Sequence, residues 1–244
     1  MNTGDYLLKP EGRVVMISGA NRGIGRAIAG RLAEEGYRLS LGVRDQAQIE
    51  KVNGEFEGKE VLVHQWEAKE PATSVEWAEA TVSRYGRIDA VVSNAGLINS
   101  FDLESDDESG LDEMWEVNTK GPLRLVRAAW PYLKQAGSGR VIGIVSLSGL
   151  RVRSASMGGY AMSKHAAEAF LHAVRYSGWE SGIRTTAICP GYVATDMTAG
   201  VATPPKEEMV QPQAVAHLVA MVLSLPNPSS VVTLPVNCLL ESSC

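Results

Sequence analysis

The chain has few cysteines, no apolar run long enough to cross a bilayer, and no excess of positive charge. Its three cysteines, Cys189, Cys238 and Cys244, are odd in number and lack metal-ligand spacing. That pattern fits a reducing compartment and argues against a structural disulfide. The four histidines, His64, His165, His172 and His217, form no H-x-x-x-H or H-E-x-x-H arrangement and have no cysteine pair beside them. No catalytic metal is therefore expected. The longest largely apolar stretch, 214–225, is interrupted by His217 and is too short to span a membrane. Residues 1–10 offer only Leu7 and Leu8 as an apolar core, too little for the hydrophobic region of a signal peptide. The expectation is a cytoplasmic protein without a membrane partner. With 23 Lys and Arg against 28 Asp and Glu, the net charge of −5 supplies no basic field for nucleic acid.

What is present is an ordinary globular composition, 45% apolar and 21% charged over 244 residues, enough for one large hydrophobic core. No linker divides it, so a single domain over 1–244 is expected. Short β-like runs alternate with longer helical ones almost from end to end. The strands are expected near 13–18, 38–43, 60–65, 90–93, 140–145, 184–189 and 231–236. Helical periodicity covers about 23–35, 45–55, 74–85, 112–134, 160–178 and 213–223. Such alternation predicts an α/β fold, a mostly parallel sheet of about seven strands with helices on both faces. Seven carboxylates lie among the twelve residues 102–113. They precede the long helix, where acidic groups favour the positive end of the helix dipole, and read as a solvated surface rather than a docking site.

Tyr160-Ala-Met-Ser-Lys164 would set a phenol and an ammonium one helical turn apart on the same face. A free phenol titrates near pH ~10, so work near neutrality needs a shift of roughly two to three units, about 3–4 kcal/mol. A nearby ammonium would supply much of it. Ser146 lies fourteen positions upstream, just past the strand-like run 141–145. Ser148 is its rival, two residues further on and of the same strand parity. The first strand runs into Ser18-Gly19-Ala-Asn21-Arg22-Gly23-Ile24-Gly25 and then into a helix. A glycine-rich turn in that position lets backbone approach a pyrophosphate closely, with the helix N-terminus adding oriented N–H donors.

The spacing Gly-x-x-x-Gly-x-Gly, taken with Ser93-Asn94-Ala95-Gly96, Asn118, Ser146, Tyr160, Lys164 and Pro190-Gly191 in that order, closely resembles the short-chain dehydrogenase/reductase family. The resemblance spans nearly the whole chain. It implies a Rossmann-type doubly wound sheet and an NAD(P)(H)-dependent oxidoreductase that interconverts a carbonyl and a secondary alcohol. Hydride would pass between nicotinamide C4 and a substrate carbon, with Tyr160 as proton donor or acceptor. Lys164 would lower the tyrosine pKa and bind the cofactor ribose. Ser146, at the family's catalytic position counted from Arg140, would stabilise charge on the carbonyl oxygen. Asn118 would hold a water linking Lys164 to solvent.

By the same resemblance the cofactor contacts are Gly19, Asn21, Arg22, Gly23, Ile24 and Gly25 in the glycine loop, then Asn94, Ala95 and Gly96 after the fourth strand. Tyr160, Lys164, Pro190, Gly191, Val193 and Thr195 complete them, Thr195 on the nicotinamide carboxamide. The end of the second strand carries Val43 where an acidic residue would bond a 2′-hydroxyl, and Arg44 follows it. Arg44 and Arg22 could surround a 2′-phosphate, so NADP(H) is expected over NAD(H).

The chain departs from the family pattern in several places. Glu67 stands where an adenine-contacting aspartate is usual, and Ser93 replaces a more common asparagine. The interval from Ser146 to Tyr160 is one residue longer than common, within 150–159, which carries Arg151 and Arg153 and allows an anionic substrate. A short lid is expected at 198–211. Ala166, Ala169 and Ala173 give the Tyr160 helix a face of small residues, and the family's helix-mediated dimers imply a homodimer or homotetramer. The C-terminal segment lacks the Gly-Gly common in tetramers. The alternative is a dinucleotide-binding regulatory or scaffold protein of the same fold. It is disfavoured because all four reacting positions are intact.

Overall fold

The computed structural model describes residues 6–240. Cys244 and the first five residues of the 1–10 stretch lie outside the described residues. Seven strands form one parallel sheet in the order β3-β2-β1-β4-β5-β6-β7. They are β1 Val14–Ser18, β2 Arg38–Val43, β3 Val61–Gln65, β4 Ala90–Ser93, β5 Arg140–Ile144, β6 Arg184–Pro190 and β7 Thr233–Val236. The helices between them are α1 Gly23–Glu34, α2 Ala47–Glu55, α3 Pro71–Tyr85, α4 Ser109–Trp115, α5 Gly121–Gln135, α6 Gly158–Gly178 and α7 Pro212–Ser224.

Strand β1 shows why both faces must be covered, because all five of its residues are buried. Val15 and Ile17 point to one side, where Ile28 and Leu32 of α1 and Val215 and Val219 of α7 complete a core. Met16 points to the other, among Trp77 of α3, Leu125 and Leu133 of α5, and Leu171 and Val174 of α6. This is the two-residue period of a strand buried on both faces. The chain runs outward from β1 through β2 to β3 and then crosses back to place β4 on the other side of β1, so the strand order reverses between β1 and β4. A crevice opens there, at the carboxyl ends of β1 and β4.

Asp89 fixes how those two strands meet. Its buried carboxylate accepts hydrogen bonds from the Val14 amide at 2.9 Å and from Arg87 at 2.8 Å. The expected strands and helices all form, with ends that coincide with the expectation or differ by up to three residues, except in one place. The helix expected as a single piece at 112–134 begins at Ser109 and is interrupted by a π-helical turn, Glu116–Lys120. Pro122, at the start of α5, has no amide hydrogen to continue the α ladder, and the wider turn absorbs the break.

Candidate active site

The glycine loop leaves β1 at the crevice. Gly19 has φ +66°, in the left-handed region, and a Cβ there would lie 3.1 Å from both the Ala95 Cα and the Asn94 amide nitrogen. A Cβ on Gly25 would sit 2.3 Å from the Gly19 carbonyl oxygen. Asn94 explains the tightness, since its side-chain amide donates to the carbonyls of Ser18 and Gly19 at 2.9 and 3.1 Å. Ser18 closes the clamp from below, its hydroxyl accepting from the amides of Asn94 and Ala95. Sequence reasoning missed Ser18, because a serine ending an apolar strand carries no signal of what it will bond.

Helix α1 therefore begins at the floor of the crevice. Its N-terminus has no side-chain cap and no acidic residue in its first turn. The first amides of a helix lack intrahelical partners, and an anion is their natural complement. Asn21 is half-buried in the turn and Ile24 packs on the core. This cradle fits the pyrophosphate of a dinucleotide.

The second group of candidates converges from β5, the π turn and α6. Ser146 lies two residues past the end of β5, and its hydroxyl accepts from the Ser148 amide at 3.0 Å. Ser148 itself belongs to the 3-10 turn Leu147–Gly149. The Ser146 side chain is hydrogen-bonded to that of Tyr160. Tyr160 and Lys164, one turn apart on α6, are both buried, and the lysine nitrogen lies 5.7 Å from the centre of the phenol ring. Lys164 donates to the Ile144 carbonyl at 3.2 Å. Asn118, on the π turn, accepts from the Leu97 amide and donates to the Leu97 carbonyl and the Ser163 hydroxyl, at 2.9, 2.9 and 3.0 Å. Gly96 joins the two groups, since a Cβ there would meet Asn118 Oδ1 at 3.1 Å and Lys164 Nζ at 3.3 Å.

The ionisation of the pair differs from the expected lowering of the tyrosine. Burial pushes the Tyr160 phenol up to about 12, opposed only in part by its bond to Ser146. Burial also lowers Lys164 to about 8, with the nearby Cys189 acting weakly the other way. The ammonium lies over the ring, 5.7 Å from its centre, and bonds the Ile144 carbonyl rather than the phenol oxygen, so it does not offset the desolvation of the phenol.

The outer candidates are distributed around the crevice. Arg22 is paired with Asp196 at 3.1 Å across the opening, both side chains being over 70% exposed. It thus reaches toward the segment after β6 and not toward Arg44, which is exposed near Lys69 and Glu113. Glu67 accepts from the Lys69 amide at 3.1 Å and closes its own turn. Pro190 ends β6 and Gly191 follows it against Leu147, while Val193 is buried and pairs with Val210. That pairing pins the base of the 198–211 segment. Thr195 caps the short turn Asp196–Thr198, and its methyl lies 3.3 Å from where a Gly23 Cβ would be.

Arg153 donates to the Tyr192 hydroxyl at 3.2 Å, beside Gly191. Phe101, also missed, covers Gly158 and Gly159 just before Tyr160, so that a Cβ on either would lie 2.9 Å from its ring. Among the described residues no three His, Cys, Asp or Glu side chains cluster as metal ligands, and no helix is long and apolar enough to cross a membrane. Cys189 and Cys238 form no disulfide.

Comparison with known proteins agrees with this arrangement. The profile described as short chain dehydrogenase matches residues 13–206. The agropine synthesis reductase of Rhizobium rhizogenes is 38% identical over 230 residues, which are 94% of this chain and 53% of that protein. The chain thus spans about half the length of this relative. An uncharacterised oxidoreductase of Staphylococcus saprophyticus is 30% identical over 229 residues, 90% of this chain and 93% of the relative. Among solved structures, an alcohol dehydrogenase from Thermococcus sibiricus complexed with 5-hydroxy-NADP superimposes with a TM-score of 0.82 at 33% identity, covering 91% of this chain and 95% of that one. The chain belongs to the short-chain dehydrogenase/reductase family of oxidoreductases.

Proposed function

We propose that this chain is an NADP(H)-preferring oxidoreductase that interconverts a carbonyl and a secondary alcohol. The observation that carries the reading is the buried Ser146–Tyr160–Lys164 group, set beside an uncapped helix N-terminus in a glycine cradle. When bound, the dinucleotide supplies the hydride at nicotinamide C4. The glycine loop and the first amides of α1 hold its pyrophosphate, and Asn94, Ala95 and Gly96 bring backbone to its adenosine side. Arg44, with Arg22 if it leaves Asp196, receives a 2′-phosphate, while Glu67 flanks the adenine. Pro190, Gly191, Val193 and Thr195 line the nicotinamide end, and Lys164 takes the ribose hydroxyls.

Tyr160 is the proton donor in the reductive direction, for which a phenol held at about 12 is already in the required form. Ser146 donates to the same substrate oxygen and stabilises the charge that develops there. Oxidation needs the phenolate, and a Lys164 ammonium drawn toward the ribose of a bound cofactor would lower that cost. Asn118 holds the π turn beside Lys164 and a water toward solvent. The segment 198–211 acts as the substrate lid of a single domain. The Thermococcus structure supports a phosphorylated dinucleotide and the Rhizobium relative a reductive direction. The sparse cysteines support a cytoplasmic location, and the exposed face of α6 supports a homodimer or larger assembly.

The test is nicotinamide-linked turnover of a panel of carbonyls and alcohols with both cofactors. Tyr160→Phe should lower kcat by about 10²–10⁴-fold and leave cofactor affinity nearly unchanged. Full activity in that variant overturns the reading, and a chain that binds dinucleotide with no turnover of any substrate favours a regulatory protein.

A further inference from the structure

Between α6 and the ends of β4 and β5 lies a small, partly open cavity lined by Ser93, Asn118, Gly143, Lys164 and the apolar residues Ala167 and Phe170. Its space for the centre of a water molecule is about 10 Å³, near the minimum that one water requires. Ser93, at the end of β4, is 6% exposed, and its hydroxyl is buried with no hydrogen-bond partner in the protein. A buried hydroxyl without a partner is costly, and such groups are usually satisfied by ordered water.

Counting donors narrows where that water bonds. An ammonium has three N–H groups, and Lys164 gives one of them to the Ile144 carbonyl. The Asn118 side-chain amide uses both of its hydrogens, on Leu97 and Ser163, so it has none left to give a water. Of the polar lining groups, Ser93 and Lys164 can donate to a water, while the Asn118 side-chain oxygen, which already accepts from Leu97, can only accept. Ser93 also pairs with Gly143 across the β4–β5 ladder, where the Leu171 side chain packs over the glycine and closes the apolar side of the cavity.

We infer that Ser93 binds a single buried water that also accepts a hydrogen bond from Lys164, which makes Ser93 a positioning residue for the lysine ammonium. Here the serine that stands in place of a larger side chain both opens the cavity and supplies the ligand. The water satisfies the serine, and it gives the buried charge of Lys164 an acceptor besides the Ile144 carbonyl. The other titratable groups near Lys164 are Tyr160 on the same helix and Cys189 on β6. Neither takes the place of the Ser93 hydroxyl. The water site stands on the cavity and the hydroxyl alone, whereas its effect on Lys164 rests on the proposed catalytic role.

A crystal structure of the chain with NADPH, at a resolution that shows ordered solvent, tests the site. The expected result is one water within hydrogen-bonding distance of both Ser93 Oγ and Lys164 Nζ. A dry cavity, or a Ser93 hydroxyl turned onto a backbone carbonyl, overturns it. Ser93→Val should lose the water. The pH above which NADPH binding weakens should then fall by about half a unit to one unit, the equivalent of one modest hydrogen bond to the ammonium. Ser93→Ala provides the same readout if valine does not fit. An unmoved pH limb in a folded variant that lacks the water overturns the positioning role. A dry cavity leaves the Tyr160 chemistry standing, while an active Tyr160→Phe leaves the water site standing, so the two failures are separable.

Discussion

Tyr160 and Lys164 are pushed in opposite directions by one cause. Burial disfavours a phenolate and an ammonium alike, so the tyrosine holds its proton more firmly and the lysine less. The spacing of the two residues was legible in the sequence, because a four-residue step on a helix has only one geometry. The sign of the tyrosine shift was not, because it depends on how deeply the folded chain buries the phenol, and the turn before it is packed by Phe101, from a loop almost sixty positions away. Arg44 and Arg22 show the same division. Their chemistry could be read from their position, yet the Arg22–Asp196 pair joins two loops that only the fold brings together. That pair is solvent-exposed and so contributes little to stability, which leaves Arg22 able to change partners at small cost. On the proposed function, Arg44 is then the firmer of the two candidates to determine cofactor choice. Wild type should show a higher kcat/KM for NADPH than for NADH, and Arg44→Ala should reduce that preference by about 10- to 100-fold, the value of a charge-assisted bond to a phosphate. Steady-state kinetics with both cofactors decide it, and a wild-type preference for NADH sinks the assignment.

The glycine loop behaves as one element with β1 and β4, since Ser18, Asn94 and the loop carbonyls are tied in a single hydrogen-bonded clamp. Within it Gly25 has the least room, its missing side chain being replaced by the Gly19 carbonyl and the Asn94 amide, at 2.3 and 2.4 Å from a Cβ position. Gly25→Ala must therefore move backbone, at a cost of about 1–3 kcal/mol for an overpacked site. For a chain of this size the expected loss in Tm is roughly 2–4 °C per kcal/mol. Dinucleotide affinity should fall as well, because the displaced carbonyl belongs to the cradle. Thermal denaturation and cofactor titration test both, and an unchanged Kd would show that the cradle is not the binding site. The strands around this clamp were legible to within two residues because apolar runs bounded by glycine and proline mark them. The π turn at Glu116–Lys120 was not, because a slip of one residue hardly alters the apolar period of a helix that continues on both sides of it. It matters for the site nonetheless, since Asn118 owes its place between Leu97 and Ser163 to that turn.

Helix α6 gives one face to the reacting centre and another to the outside of the molecule. Met162, Ala166, Ala169, Ala173 and Tyr176 follow one another at spacings of four, three, four and three, which puts them on a single stripe. Met162 and Tyr176 are exposed at 51% and 79%, and the alanines between them are small enough to let a second helix approach closely. A stripe of this kind in the isolated chain leaves apolar area in water that a second copy would remove, and a two-fold pairing of α6 with itself buries it on both subunits at once. The assembly proposed above then has a direct test. Light scattering should give at least twice the mass of one chain at micromolar concentration, and Ala169→Arg, which places a charge at the middle of the stripe, should shift the population to monomer. Because the opposite face of the same helix holds Tyr160 and Lys164, the monomeric variant should also lose some activity while retaining its far-ultraviolet circular dichroism. A wild-type chain that runs as a monomer throughout that range refutes the assembly without touching the redox chemistry, since Ser146, Tyr160, Lys164 and Asn118 all come from one subunit.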